Sequence, residues 1–488
     1  MPEVLTAFAL LAVVLTVSGL VSPLVERAPL SFPMVFLGLG ILLGPRVVGL
    51  VRLDAHSPLL EAIATSTLSM VLFLDAVNLR FDHRGRAWLI PMLVLGPGTL
   101  LTIAGITLLA LLLLQVGPVP ALLLGTILAS TDPVVLRDVV RDRRVPSPIR
   151  DVLRIEAGTN DVVVLPIVLV LIAVAQGRAG GVQEWLLVLA ELLLLGPAVG
   201  FTVGALGSWL IARVDDRLTV RREYQALFGV GLVLLAYVAG QTAGGDGFLA
   251  AFAAGIAVSV LNRELCDCFF DYSEISVEMA MLLSFILFGA VLSTLVELVL
   301  LVPTLVFAVL AIGVVRPVAI NLALLRTSLS RPARAFLAWF GPRGLSSLLL
   351  ALLVVLGGVP DAEWLLATVG VVVLVSVMAH GISATPVAAW YERRLVQATL
   401  PEEREGTAVT LLGGAAGAGD GAVPRITPEE LARRLEGPDP PLVLDVRSRA
   451  GYRPEQGQIP GSLRLLPDEV VEWASTQAIR RPVVAYCT

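Results

Sequence analysis

Residues 122–140 read LLLGTILASTDPVVLRDVV. An apolar run that opens like a membrane span meets Thr131, Asp132 and Pro133 halfway along. Pro133 removes a backbone hydrogen bond and its ring clashes with the preceding turn, so the helix is predicted to break there. A broken helix at membrane depth exposes carbonyls and helix ends, which is tolerated only beside a cavity and is a common way to build an ion site. The plainer alternative is a proline kink capped by Asp132. The next apolar stretch favours the first reading. Residues 149–172 read IRDVLRIEAGTNDVVVLPIVLVLI and embed Glu156, Thr159, Asn160 and Asp161 in apolar sequence. Ionisable side chains are expensive inside lipid and are functional candidates by default. On a helix Asn160 lies about 40° from Glu156 and Asp161 about 140° away, so the two acids face different surroundings. One can line a cavity while the other pairs inside the bundle. A carboxylate taken out of water holds its proton more tightly, and a proton and a cation can then compete for it.

Composition points to the same solvent. The 488 residues are 56% hydrophobic and 15% charged, whereas about a quarter of residues are charged in an ordinary globular domain. The formal net charge of -5 implies no nucleic-acid partner. About thirteen stretches approach the roughly 20 apolar residues that a crossing needs. They begin near Leu5, Phe32, Leu59, Leu89, Val119, Val152, Trp185, Tyr224, Gly247, Val277, Leu298, Phe336 and Trp364. Arginines gather in alternate loops: Arg80, Arg84 and Arg86; Arg137, Arg141, Arg143 and Arg144; Arg213, Arg217, Arg221 and Arg222; then Arg326, Arg331 and Arg334. With Arg393 and Arg394 after the last stretch, this predicts the N-terminus outside and the C-terminus in the cytoplasm. The opening MPEVLTAF has no basic start and no clear cleavage site follows, so the first helix is expected to stay.

The composition changes after Tyr391. PEEREGTAVTLLGGAAGAGDGAVP is charged and then Gly/Ala-rich, which reads as a linker. The division expected is a membrane domain over 1–392, a linker over 393–423 and a small α/β piece over 424–488. Thr427 reads as an N-cap with Pro428 at the first helical position. PLVLDVRS and RPVVAYCT read as strands, in a length too short for a parallel sheet.

Five motifs in order carry a resemblance: TDPVV at 131–135, E-x-x-x-N-D at 156–161, GFLAAFAAG from Gly247, VRPVAI around Arg316 and FGPRG around Arg343. Together they resemble sodium/proton antiporters of the monovalent cation:proton antiporter family, through about residue 391. The resemblance implies an all-α polytopic fold with an inverted-repeat core, crossed unwound helices and a dimerisation lobe, hence a homodimer in the bilayer. It implies that Asp161 is the titrating ion-binding carboxylate, with Asp132 and Thr131 at the unwound crossing beside it and Asn160 in support. Na⁺ or Li⁺ would sit at Asp161, Asp132 and Thr131. Glu156 and Arg316 would form a buried ion pair, and Arg343 is a further core arginine. Ala157 stands where many relatives have a serine that helps ligate the ion, and Pro317 after Arg316 is also a departure. Asn160 in place of a second aspartate is associated with electroneutral exchange. The tail resembles the first half of a rhodanese domain, with Cys487 as the family's nucleophile and Asp445 and Arg447 as its structural strand-end pair. The chain stops one residue past Cys487, so that piece is expected to be inactive.

The remaining candidates are plainer. Asp75 and Asn78 lie near a cytoplasmic helix end, where snorkelling or capping competes with lining an ion funnel. Glu278 reads as interfacial. Cys266 and Cys268 are too close for a redox motif, and with Cys487 fit no zinc spacing. His56 and His83 fall in loops, which predicts no internal histidine. No cofactor is expected and the chain does not read as an enzyme. Sodium/proton exchange at a bacterial inner membrane is the leading expectation. Potassium/proton exchange, a channel, and a membrane-anchored sulfurtransferase or redox-regulated protein are the alternatives.

Overall fold

A computed structural model describes residues 10, 12–21, 31–78, 89–142, 144–177, 182–218, 220–397, 426–437, 440–447, 452, 457–466, 469–470, 473–474 and 482–486, with the backbone alone for 138, 182, 263–275, 396–397 and 429. The arginine loop at 80–86, Cys487 and most of the expected linker lie outside the described residues, as do the side chains of Cys266 and Cys268. Eight described helices are long and apolar enough to cross a membrane. They are α3 (Pro58–Asn78), α4 (Leu89–Leu113), α7 (Ser147–Ala175), α8 (Gln183–Leu218), α9 (Arg222–Thr242), α11 (Arg263–Leu295), α12 (Leu301–Ala323) and α15 (Ala362–Gln397). Five shorter apolar helices accompany them: α1 (Ala12–Val21), α2 (Phe32–Leu43), α5 (Pro118–Ile127), α10 (Gly247–Leu261) and α14 (Leu345–Leu356). Helices α6 (Pro133–Arg141) and α13 (Arg331–Trp339) are more polar and adjoin α5 and α14. The last membrane helix runs on to Gln397, past the boundary expected at 392.

The helices form two compact units. One comprises Met1–Arg137, Arg154–Leu325 and Ala338–Ala384; the other comprises Asp138–Leu153, Arg326–Leu337 and Thr385–Thr488. In the first unit, small residues let backbones approach, as is common where helices meet in lipid. Gly200 of α8 lies against Ala250 of α10, and a Cβ there would strike the Ala250 backbone. The same α8 carries the exposed Leu187, Leu194 and Trp209 on its other side. Its most apolar window is only 11% buried, against 72% for Ser276–Leu298, so α8 presents a face suited to lipid or to another chain.

Among the described residues three helices contain a single π turn, and each has a proline at it or within two residues of it. Pro97 lies inside Val94–Gly98, Pro197 follows Glu191–Leu195, and Pro317 follows Ala311–Val315. A proline cannot donate to the carbonyl one turn back and its ring crowds that carbonyl, so the helix widens to accommodate it. The wide turn at 311–315 immediately precedes Arg316 and shifts the register in which that residue faces the core.

In the second unit, Thr427 caps α16 (Pro428–Leu435), its hydroxyl accepting from Glu430 N. Beyond it the chain departs from expectation. Strands β1 (Leu442–Asp445), β2 (Leu463–Arg464) and β3 (Val483–Tyr486) form a parallel sheet in the order β2-β1-β3. The length judged too short for a parallel sheet is sufficient, because residues 446–482 leave room for a crossover and the two-residue β2 falls within it. Arg447 forks onto both oxygens of Asp445, at 2.9 and 2.6 Å. Burial pushes that carboxyl up, and the bonds from Arg447 outweigh it and hold Asp445 below the usual carboxylate range.

Candidate functional site

Two breaks make the site. Between α5 and α6 the chain is non-helical at 129–132, and between α13 and α14 it is non-helical at 340–344. Each contains or adjoins a proline, Pro133 and Pro342. Pro133 has no N–H for the Ala129 carbonyl, which instead accepts from Asn160 Nδ2 at 2.8 Å and from Arg343 Nη1 at 3.1 Å. Arg343 Nη1 also donates to Ser130 O at 2.8 Å, so one guanidinium closes the carbonyl end of α5. The two breaks are joined by backbone, with Asp132 N donating to Pro342 O at 2.9 Å.

Asp132 serves both helices that start at the crossing. Its Oδ1 accepts from Val134 N at 2.7 Å at the start of α6, and its Oδ2 accepts from Leu345 N at the start of α14. One carboxylate thus meets two helix N-termini, where backbone N–H groups lack helical acceptors and negative charge is favoured. Gly344 is required here, since a Cβ would collide with the Asp132 carboxylate. At the end of α13, Arg316 Nη2 donates to Phe340 O at 3.3 Å. Gly341 is held to glycine by the same guanidinium, which would overlap a Cβ.

His380 completes the set, and it corrects the expectation of no internal histidine. It is buried on α15 with Nε2 3.0 Å from Trp339 O. Nδ1 faces a second carbonyl, Ser376 O, at 2.8 Å, so the ring is held between two backbone oxygens. Ser376, one turn earlier, accepts from Arg343 N at 2.7 Å and lies 3.2 Å from His380 Nδ1. The sequence signal for His380 is its place within an apolar run, VSVMAHGIS, unlike the loop histidines.

Helix α7 crosses this frame and presents its two acids differently. Glu156 is paired with Arg316 at 2.7 Å, and both are buried. Thr131 is taken up by that side of the site: its Oγ1 accepts from Asn160 Nδ2 at 2.6 Å and lies 3.5 Å from Glu156 Oε1. Asp161, only 2% exposed, is turned elsewhere. Its Oδ1 accepts from the Ser130 hydroxyl at 2.5 Å, and the Ser346 hydroxyl lies within interaction reach of its carboxyl. Among the described residues its Oδ2 has no hydrogen-bond partner, and neither has Asn160 Oδ1. Asp75 of α3 joins the group: it is buried, its Oδ2 also lacks a partner, and it lies within electrostatic reach of Asp161 and Asp132. Its burial argues against snorkelling. Glu278 is half-buried and bonded to Arg137 at 2.6 Å, which is more than an interfacial residue requires.

Buried oxygens without donors, beside an acid with one oxygen free, are the arrangement a dehydrated cation can satisfy and a proton can contest. Crossed breaks and apolar helices define a multi-pass membrane protein of the kind that carries ions through broken helices. The chain belongs to the sodium/hydrogen exchanger family, whose transmembrane model matches residues 11–390. It is 26% identical to the K(+)/H(+) antiporter NhaP of Alkalimonas amylolytica over 373 residues, 76% of this chain and 64% of that protein. It is 26% identical to the K(+)/H(+) antiporter NhaP2 of Shewanella sp. (strain ANA-3) over 416 residues, 82% of this chain and 70% of that one. The solved sodium proton antiporter MjNhaP1 from Methanocaldococcus jannaschii has a similar fold, with a TM-score of 0.67 at 20% identity, covering 80% of this chain and 99% of its own.

Proposed function

We propose that the chain exchanges a monovalent alkali cation for protons, with Asp161 as the carboxylate for which the two compete. The carrying observation is the state of that carboxyl: buried, held on one oxygen by a serine hydroxyl, and free of protein partners on the other. Asp132 and Thr131 contribute by building the crossing beside it, and Asn160 by tying α7 to α5 while offering its own oxygen. Glu156 and Arg316 are the fixed pair, and Arg343 closes α5. Exchange proceeds by alternating access, in which the crossing opens to one side at a time and Asp161 gives up one ion before taking the other.

Na⁺ or Li⁺ is the proposed cation, and exchange is electroneutral because one titratable acid serves each cycle. Potassium is the second reading, favoured by what the Alkalimonas and Shewanella relatives are said to exchange. The proposed setting is a bacterial inner membrane, with thirteen crossings, the N-terminus outside, the C-terminus in the cytoplasm, and two copies per assembly. Broken pairs α5–α6 and α13–α14 each count as one crossing in that scheme. The tail of 424–488 is proposed as a rhodanese-like appendage on a linker. The test is dequenching of a pH dye in inverted vesicles on addition of Na⁺, Li⁺ or K⁺. A response to Na⁺ and Li⁺ above K⁺ is expected; a response to K⁺ alone gives the second reading, and none to any of the three overturns both.

A further inference from the structure

Ala157 lies one turn before Asp161 on α7 and is buried, so this helix offers no hydroxyl where the resemblance calls for one. Hydroxyls nonetheless reach the Asp161 carboxyl, and from other elements. Ser130 comes from the first break and Ser346 from the opening turn of α14, and both are buried. Asp132 and Thr131, the other residues expected at the ion, are engaged. Both oxygens of Asp132 accept backbone N–H groups, and the Thr131 hydroxyl is committed to Asn160 and Glu156.

We propose that Ser130 and Ser346 are specificity-determining ligands, whose hydroxyl oxygens complete the coordination of the cation at Asp161 in place of the oxygen that Ala157 lacks. This rests on the reading of Asp161 as the exchange carboxylate. A hydroxyl suits both halves of the cycle, since it donates one hydrogen bond and keeps two lone pairs. It can donate to the carboxylate, as Ser130 does to Asp161 Oδ1. With the cation seated at the free Oδ2, it turns a lone pair toward the ion and still borders the carboxylate. The three oxygens come from three elements, α7, the first break and α14, so relative movement at the crossing dismantles the set and releases the ion. A small cation is held more strongly by each oxygen it touches than a large one, so loss of two ligands falls hardest on Li⁺ and Na⁺.

The experiment compares wild type, Ser130→Ala/Ser346→Ala, the same double variant with Ala157→Ser, and Asp161→Asn in proteoliposomes. KM is measured for Na⁺ and for K⁺. The double variant is expected to raise KM for Na⁺ at least tenfold and to lower the Na⁺ to K⁺ preference by a similar factor. Ala157→Ser in that background is expected to recover at least threefold of each. If the double variant does not reach the membrane folded, Ser346→Ala alone is expected to raise KM for Na⁺ at least threefold. KM and preference within twofold of wild type overturn the proposal, as does a shift that Ala157→Ser does not relieve. Exchange that persists in Asp161→Asn overturns the underlying reading as well; an inactive Asp161→Asn beside unchanged serine variants removes the ligand proposal alone.

Discussion

Glu156 and Arg316 face each other at 2.7 Å with water excluded from both. Removing one member of a buried pair leaves the other charge without compensation and costs about 3–5 kcal/mol. Glu156→Ala and Arg316→Ala are each expected to lower the melting temperature sharply in detergent. The double variant is expected to lose clearly less than the sum of the two, and strictly additive losses would refute the pairing. Asn160 supports a second prediction. Its amide donates to Ala129 O and Thr131 Oγ1 and takes up no proton, so the proposed exchange rests on Asp161 alone. An imposed membrane potential is therefore expected to drive no net exchange by the wild type, and potential-driven flux in proteoliposomes would count against electroneutrality. At this scale much of the site was legible: an acid, an amide and a threonine among apolar residues announce themselves by the expense of burying them. Ser130, Ser346 and His380 were not, because serine and histidine are unremarkable in sequence until the neighbours they meet are known.

Prolines shape the elements. Pro133 halfway through a span predicted the first break directly, and the structure supplies the consequence, with Asn160 and Arg343 answering the carbonyl it abandons. The second break followed only from resemblance, although Gly341, Pro342 and Gly344 carry a local signal of their own. Legibility failed at the π turns for a different reason. Proline kinks, widened turns and helix ends look alike in sequence, and packing selects among them. The close fit at the crossing gives a sharp contrast between glycines. Gly344→Ala is expected to abolish transport and destabilise the protein, because its Cβ would enter the Asp132 carboxylate that caps α14. Gly231→Ala, on α9 with open space around it, is expected to keep full transport and change stability by no more than about 1 kcal/mol in the favourable direction. Equal tolerance of the two in a transport assay would show that the crossing does not need its geometry.

At the scale of the whole chain, every residue assigned to exchange lies between Asp75 and His380, within the stretch matched by the family model. The apolar bias made the solvent legible, and the alternating arginines carry the proposed orientation. The tail was harder, because β2 is two residues long and carries no periodic signal of its own. Termination after residue 405 is expected to leave cation-dependent proton movement unchanged in vesicles. Loss of transport on that truncation would assign the tail a part in the cycle. The central claim is that cation and proton compete for one buried carboxylate, and Asp161→Asn tests it most directly because it keeps shape and removes the charge. Wild type and variant are reconstituted side by side with a trapped pH dye and given Na⁺, Li⁺ and K⁺ gradients in turn. The wild type is predicted to move protons against at least one cation, while the variant, with an unchanged melting profile, moves none. Near-normal exchange by the folded Asp161→Asn protein would contradict the account.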